Sequence, residues 1–443
     1  MKRVLIITYY WPPSGGSGVQ RWVKFAKYLP QNGWQPVIYT PENPELIAVD
    51  SSLESEIPSE AEIIRRPIVE PYEVYRKLSG RRGNAKNGEV NPINNQKKSL
   101  FQCISLWIRG NLFIPDPRCL WIRPSVKFLK KYLEEHPVDI IVSTGPPHSM
   151  HLIARKLSLS TGIPWVADFR DPWTKMFYFK HLDLSKWAKR RHETLERKVL
   201  DDANAVVAVS PLVQDDFKKM TDTPVVLITN GFDEDDFDSA IEEIKVSEGD
   251  FGADNDRDFN IVHTGLFAAD GNPENLWKAL ARISEEDSGF ARRLKIRLVG
   301  KTDPQIIDSI KSFGLGHALE NMGYVPHEVA VREQCGASVL ILPLRKEPEY
   351  KATVPGKLLE YLASRRPVLG IGQTDGAMAA ILSDAGAGRT FDWEDSEGIE
   401  AEIRHCWDLF CKGELNDVSG DIDKYSRRRL CRQMADLFDS LKS

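Results

Sequence analysis

The sequence predicts an α/β protein made of two doubly wound domains, each on a parallel sheet. Three observations carry this. Short, continuous apolar runs recur and alternate with segments of helical period, the pattern of strands covered by helices on both faces. The 443 residues are more than one core of ordinary size holds. An acidic, irregular stretch separates the runs into two groups. The expected division is therefore a first domain at 1–232, a linker at 233–258, a second domain at 259–420 and a terminal helix at 421–443.

Taken in order, residues 4–8 form the first buried strand, and a turn with Gly15, Gly16 and Gly18 leads into a helix over 19–29. No third glycine follows three residues on, which argues against a dinucleotide fingerprint. A second strand spans 34–40, and the chain is then irregular to about residue 70. Residues 76–98 are basic and polar with almost nothing to bury, which predicts a mobile loop. Residues 100–121 interleave Phe101, Trp107, Leu112 and Trp121 with arginines, a composition suited either to a membrane surface or to packing on the domain core.

A helix over 124–135 precedes the strand at 138–142, whose end carries His148 toward the functional edge of the sheet. The strand at 163–167 delivers Asp168, Arg170 and Asp171 to that edge. So dense a group of charges must either pair internally, with Arg170 satisfying both aspartates, or meet polar groups of a substrate. Trp173, Met176, Phe177, Tyr178 and Phe179 follow as apolar faces for a sugar or lipid. A helix over 184–200 and a strand over 205–210 close the half. In the second half, strands are expected at 259–264, 294–300, 319–326, 337–343 and 367–371, and a helix at 422–441.

Composition is that of a globular protein, 42% hydrophobic and 28% charged. The net charge of −5 argues against general nucleic-acid binding. Six cysteines without a Cys-x-x-Cys pair suggest neither a zinc site nor a disulfide framework and suit a reducing cytoplasm. The first apolar run is too short for a signal peptide, and no run reaches the ~18 apolar residues of a spanning helix. Any membrane contact, at the inner face, is expected to be peripheral.

The chemistry concentrates at residues 350–370. Pro355 and Gly356 suit the first turn of a helix, whose free N–H groups and dipole attract an anion. Lys357 adds a full charge, and Glu360, one turn in, is placed to accept hydrogen bonds from sugar hydroxyls. Arg365 and Arg366 complement the helix C-terminus before Pro367 stops it.

The segment from Glu360 to Val368 resembles the donor helix of the GT-B glycosyltransferases, and in particular glycosyltransferase family 4. Asn230-Gly231-Phe232-Asp233, the glycine turn after the first strand and the strand ending at Gly323-Tyr324-Val325 resemble the same family, in family order. The resemblance implies a GT-B fold, two Rossmann-like domains with parallel sheets facing a central cleft. It also implies transfer of a sugar from a nucleotide-diphosphate donor, with retention, to a glycan or lipid-linked acceptor in surface polysaccharide synthesis. No metal or other cofactor is implied.

On the donor side the resemblance places Gly16, Gly265, Lys301, Tyr324 and Val325, with Lys351, Pro355, Gly356, Lys357 and Glu360. His148, Glu360 and Lys357 are the expected catalytic residues; the acceptor side takes Gly15, Asp168, Arg170, Asp171 and Trp173. Two departures stand out. The family's first glutamate is replaced by Ala352, with Glu347 and Glu349 a few residues earlier. No Arg or Lys follows Gly265 before Lys278, which leaves Lys351, Lys357 and Arg345 to neutralise a diphosphate. Rival readings are a nucleotide-sugar epimerase of the same fold and a non-catalytic scaffold at a membrane.

Overall fold

A computed structural model describes residues 1–15, 17–45, 49–70, 107–108, 110–176, 179, 182–238, 240–242, 257–415, 418 and 420–442. The expected loop at 76–98, the first part of the aromatic segment 100–121 (residues 100–106, with Arg109), Phe177, Tyr178, Gly16 and most of the acidic linker lie outside the described residues. The chain divides into two compact units, Met1–Thr229 with Leu430–Ser443, and Asn230–Arg429.

The first unit is built on β1 (Lys2–Ile7), β2 (Trp34–Pro41), β3 (Glu62–Arg66), β4 (Ile140–Gly145), β5 (Trp165–Phe169), β6 (Ala205–Ala208) and β7 (Val225–Leu227). All pairings are parallel, in the order β3-β2-β1-β4-β5-β6-β7. Val4, Leu5, Ile6 and Ile7 are completely buried, as a strand covered on both faces requires. Helices run back between the strands at Ser17–Tyr28, Ile122–Glu135, Ser149–Thr161 and Lys186–Asp202. Strand β3 was read from sequence as irregular chain. It is an edge strand, half-buried at Glu62, Ile63 and Ile64 and exposed at both arginines, so it lacks the apolar run that marks a central strand.

The helix Arg427–Ser440 completes this unit. Leu430, Cys431, Met434, Ala435 and Phe438 join the core formed by Val4, Trp22, Phe25 and Trp34. The Phe438 ring meets the Trp34 ring edge-on at 5.2 Å.

The second unit carries β8 (Phe259–Thr264), β9 (Leu294–Val299), β10 (Leu319–Gly323), β11 (Val339–Pro343), β12 (Val368–Ile371) and β13 (Gly388–Phe391). Its order, β10-β9-β8-β11-β12-β13, repeats that of the first unit, again parallel throughout. In each sheet the order reverses beside the unit's first strand, at β1/β4 and at β8/β11. Loops at the carboxyl ends of strands flanking such a reversal form a crevice within the unit, the usual place for a ligand in this architecture.

Candidate functional site

In the second unit, the reversal point brings together the ends of β8 and β9 and the start of the helix Gly356–Ala363. Two glycines make the approach possible. Gly265 has φ +85° and Gly300 φ +124°, and a Cβ on Gly300 would lie 2.4 Å from the Gly265 carbonyl oxygen. No other residue fits at Gly300 without moving that strand end. The N–H of Gly265 donates to Val299 O at 2.7 Å and that of Phe267 to Lys301 O at 2.9 Å, so the two loops are laced together.

Pro355 precedes the Gly356 helix, and among the described residues no side chain caps it and nothing lies within 4 Å of where a Gly356 Cβ would stand. The helix thus presents an open amino end. The Lys357 Nζ turns back over the end of β8, 3.0 Å from His263 Nε2 and 3.1 Å from the Leu266 carbonyl, and a Cβ on Gly265 would sit 3.6 Å from it. Burial pushes this ammonium down to about 8, with Glu360 pulling the other way. His263 is buried and stacked on Phe267 at 4.1 Å; burial, then the charge of Lys357, keeps it neutral well below its ordinary range. Neutral imidazole accepts from Lys357 and fixes where the charge sits.

Glu360 is half-buried and accepts from Gln334 Nε2 at 3.2 Å; the same amide donates to Thr264 Oγ1 at 3.0 Å. Tyr361 OH accepts from the Thr264 N–H at 2.8 Å, which ties the helix to the strand end. Gln334 and His263 were not anticipated from the sequence; each is a polar residue buried to 1% exposure, and only the three-dimensional contact reveals its partner. Lys301 is exposed beside Gly300, Tyr324 is exposed, and Val325 packs partly on the unit's core.

The other cations considered for a diphosphate are engaged elsewhere. Lys351 pairs with Asp375, and Arg345 pairs with Asp270 at 3.1 Å. Ala352 ends the single helical turn Pro348–Ala352, which Glu347 precedes with its side chain exposed.

In the first unit the expected charges separate. Asp168 is completely buried and pairs with Arg21, not Arg170: Arg21 Nη2 lies 2.8 Å from Asp168 Oδ1, and Arg21 also donates to the carbonyls of Ile228 and Thr229 at 2.9 and 2.7 Å. Trp22 Nε1 and Thr144 Oγ1 donate to its other oxygen at 2.8 and 2.9 Å. Burial alone would raise this carboxyl, but Arg21 and the hydrogen bonds hold it below the usual range. The expectation that Asp168 meets acceptor hydroxyls is corrected accordingly: its lone pairs are spent inside the core.

Arg170 donates to Gly18 O at 2.9 Å and to Pro146 O, joining the first turn of the Ser17–Tyr28 helix, just past the loop on which Gly15 lies, to the loop after β4. Asp171 is half-buried and burial pushes it up to about 6 against the pull of Arg170.

Trp173 also turns inward at 2% exposure, which corrects its expected part as an open platform. It stacks on His148 with ring centres 4.5 Å apart and planes 1° from parallel, while its Nε1 donates to His192 Nδ1 at 3.0 Å. Among the described residues neither ring nitrogen of the buried His148 has a hydrogen-bond partner, and burial holds it neutral.

These two sheets and their reversal-point loops define a glycosyltransferase of the GT-B architecture. The chain belongs to glycosyltransferase family 4: the model of Glycosyltransferase Family 4 matches residues 98–236, and that of Glycosyl transferases group 1 matches residues 258–408. A glycosyltransferase from Rickettsia africae is 14% identical with a TM-score of 0.60, covering 99% of this chain and 98% of its own. The Anabaena protein HepE, solved with UDP and glucose, is 14% identical with a TM-score of 0.59, covering 99% of this chain and 100% of its own. WaaG, a glycosyltransferase involved in lipopolysaccharide biosynthesis, is 15% identical with a TM-score of 0.53, covering 98% of this chain and 99% of its own. No curated protein matches closely enough to count as a relative.

Proposed function

We propose that the enzyme transfers a sugar from a nucleotide-diphosphate donor, with retention, to a glycan or lipid-linked acceptor in surface polysaccharide synthesis. The observation that carries this reading is the open end of the Gly356 helix with the Lys357 ammonium held beside Gly265. Departure of the nucleotide diphosphate builds negative charge on a phosphate. Backbone N–H groups of the helix and Lys357 stabilise that charge more in the transition state than in the ground state.

Glu360, oriented by Gln334, accepts from donor sugar hydroxyls, and His148 offers a ring nitrogen to the sugar. Lys301 adds charge on the donor side, while Gly265 leaves room for the phosphates and Tyr324 and Val325 border the nucleobase. Gly15, Arg170 and Asp171 stand on the acceptor side. The UDP and glucose bound in the HepE structure and the lipopolysaccharide role of WaaG support the substrate classes by likeness. Among the described residues no helix is long and apolar enough to cross a membrane, so work on a lipid-linked acceptor calls for peripheral contact with the inner face.

The test is calorimetry and thermal shift against UDP, GDP, dTDP and ADP and their sugars, with Lys357→Ala and Glu360→Ala alongside. Binding of one nucleotide, weakened in Lys357→Ala, is expected; binding of none overturns the donor assignment. The anomeric configuration of the product, read by NMR, tests retention.

A further inference from the structure

The helix Lys186–Asp202 puts Trp187 63% into solvent at its first turn. Trp187, Arg190, Arg191 and Lys198 recur at helical spacing on one exposed face. Lys186 and Lys189 flank them, also exposed, and among the described residues the side chains of Lys186, Lys189, Arg190 and Arg191 have no carboxylate or hydrogen-bond partner. A second segment lies against this helix start. Asn111, buried, donates to Asp183 O at 3.0 Å and accepts from the Ser185 N–H at 2.7 Å, and Ser185 is the residue that caps the helix. Through that clamp Trp107, Ile108 and Leu112, exposed by 44%, 37% and 63%, come to the same neighbourhood.

Two solvated indoles and two solvated aliphatic side chains leave apolar surface in water, the clustered cations beside them repel one another, and both suit a single environment. An anionic bilayer surface takes apolar side chains below its headgroups and cations at the level of its phosphates. A protein with a formal charge of −5 does not gather such cations by composition alone. We propose that this patch seats the enzyme on an anionic lipid surface. The position is apt for the acceptor side. His192, one short step along the helix from Arg190, holds Trp173, and Trp173 stacks on His148. A lipid-linked acceptor lying in the bilayer would thus reach the His148 edge without leaving the surface; this last point rests on the acceptor reading above, whereas the lipid contact does not.

The experiment is co-sedimentation of the full chain with phosphatidylcholine vesicles, with and without phosphatidylglycerol, at low and high salt. Binding to the anionic vesicles, weakened by salt, is expected. Arg190→Gln/Arg191→Gln should weaken it about thirtyfold, as two surface cations imply. Trp187→Ser should weaken it on the order of tenfold with the salt dependence kept. Lys278→Gln/Lys311→Gln, a charge-matched change in the second unit, should leave it unaltered. All substituted positions are exposed, and unchanged melting temperatures verify folding. Equal binding to neutral vesicles, no binding at low salt, or equal loss in the control overturns the proposal, as does preferential retention by duplex DNA. Nucleotide binding measured on the same variants stays at the wild-type value if only the lipid contact is affected, and so separates this proposal from the donor assignment.

Discussion

Both sheets gather charge at their carboxyl edge, and they spend it in opposite ways. At the edge of the first sheet, Asp168 meets Arg21, Trp22 and Thr144, and Arg21 uses its remaining N–H groups on two carbonyls. At the edge of the second, Lys357 is partly exposed and its ammonium donates to two neutral acceptors, His263 and the Leu266 carbonyl. The first arrangement is saturated and holds three strand ends together. The second is under-neutralised, costs the ammonium some of its proton affinity, and is relieved by an arriving anion. A charge near a strand end is therefore informative only once its partners are known.

The largest effect should come from breaking the saturated edge. Asp168→Asn leaves Arg21 buried without its counter-charge and should cost about 3–5 kcal/mol in denaturant unfolding. Arg21→Met/Asp168→Leu, removing both charges together, should recover most of that. The carboxyl of Asp168 is lowered in the folded state, so its stabilisation is intact above the ordinary carboxylate value of about 3.9 and fades as pH falls below it. An Asp168→Asn protein that unfolds like the wild type but no longer uses acceptor would reverse the contrast.

The next effect concerns the open edge. Lys357→Ala should lower kcat by about 10²–10³, the range for loss of one transition-state donor, while leaving unfolding stability near that of the wild type. A third test sharpens why. With Lys357 lowered to about 8, the free enzyme loses this proton as pH rises through that value. Nucleotide-diphosphate affinity should then decline, by at most about tenfold per pH unit, and Lys357→Arg should shift the decline to far higher pH. A flat affinity profile to pH 10 means another cation binds the phosphates. The smallest expected effect is that of Gln334→Leu, which frees Glu360 and Thr264 from a shared amide; kcat should drop about tenfold with nucleotide affinity nearly unchanged.

Central strands were legible because burial on both faces leaves a continuous apolar run: β1, β4, β8 and β11 all show it. Two edge strands, β3 and β13, were not, although the edge strand β10 was. Gly388–Phe391, four residues that include Arg389 and Thr390, is held by parallel pairing with β12 and has no run to recognise. The donor-like helix was readable from Pro355, Gly356 and Lys357 because local chemistry alone makes its amino end. The Arg21–Asp168 pair was not, since 147 residues separate the partners and only the folded sheet brings them together. Trp173 shows the remaining difficulty: an aromatic residue after a strand end faces a ligand or the core according to what lies beneath it, and here His148 does.

The helix that starts at Arg427 carries a timing requirement for biosynthesis. Its residues from Leu430 to Phe438 fill the core of the unit whose first strand begins at Lys2, and Lys2 itself pairs with Asp439 at 2.5 Å. A nascent chain that has released all seven strands of that unit still lacks part of its interior for some two hundred residues of further synthesis. During that interval Trp22, Phe25 and Trp34 remain partly uncovered, so the first half of the protein is the part that most needs shelter while the second half is being made.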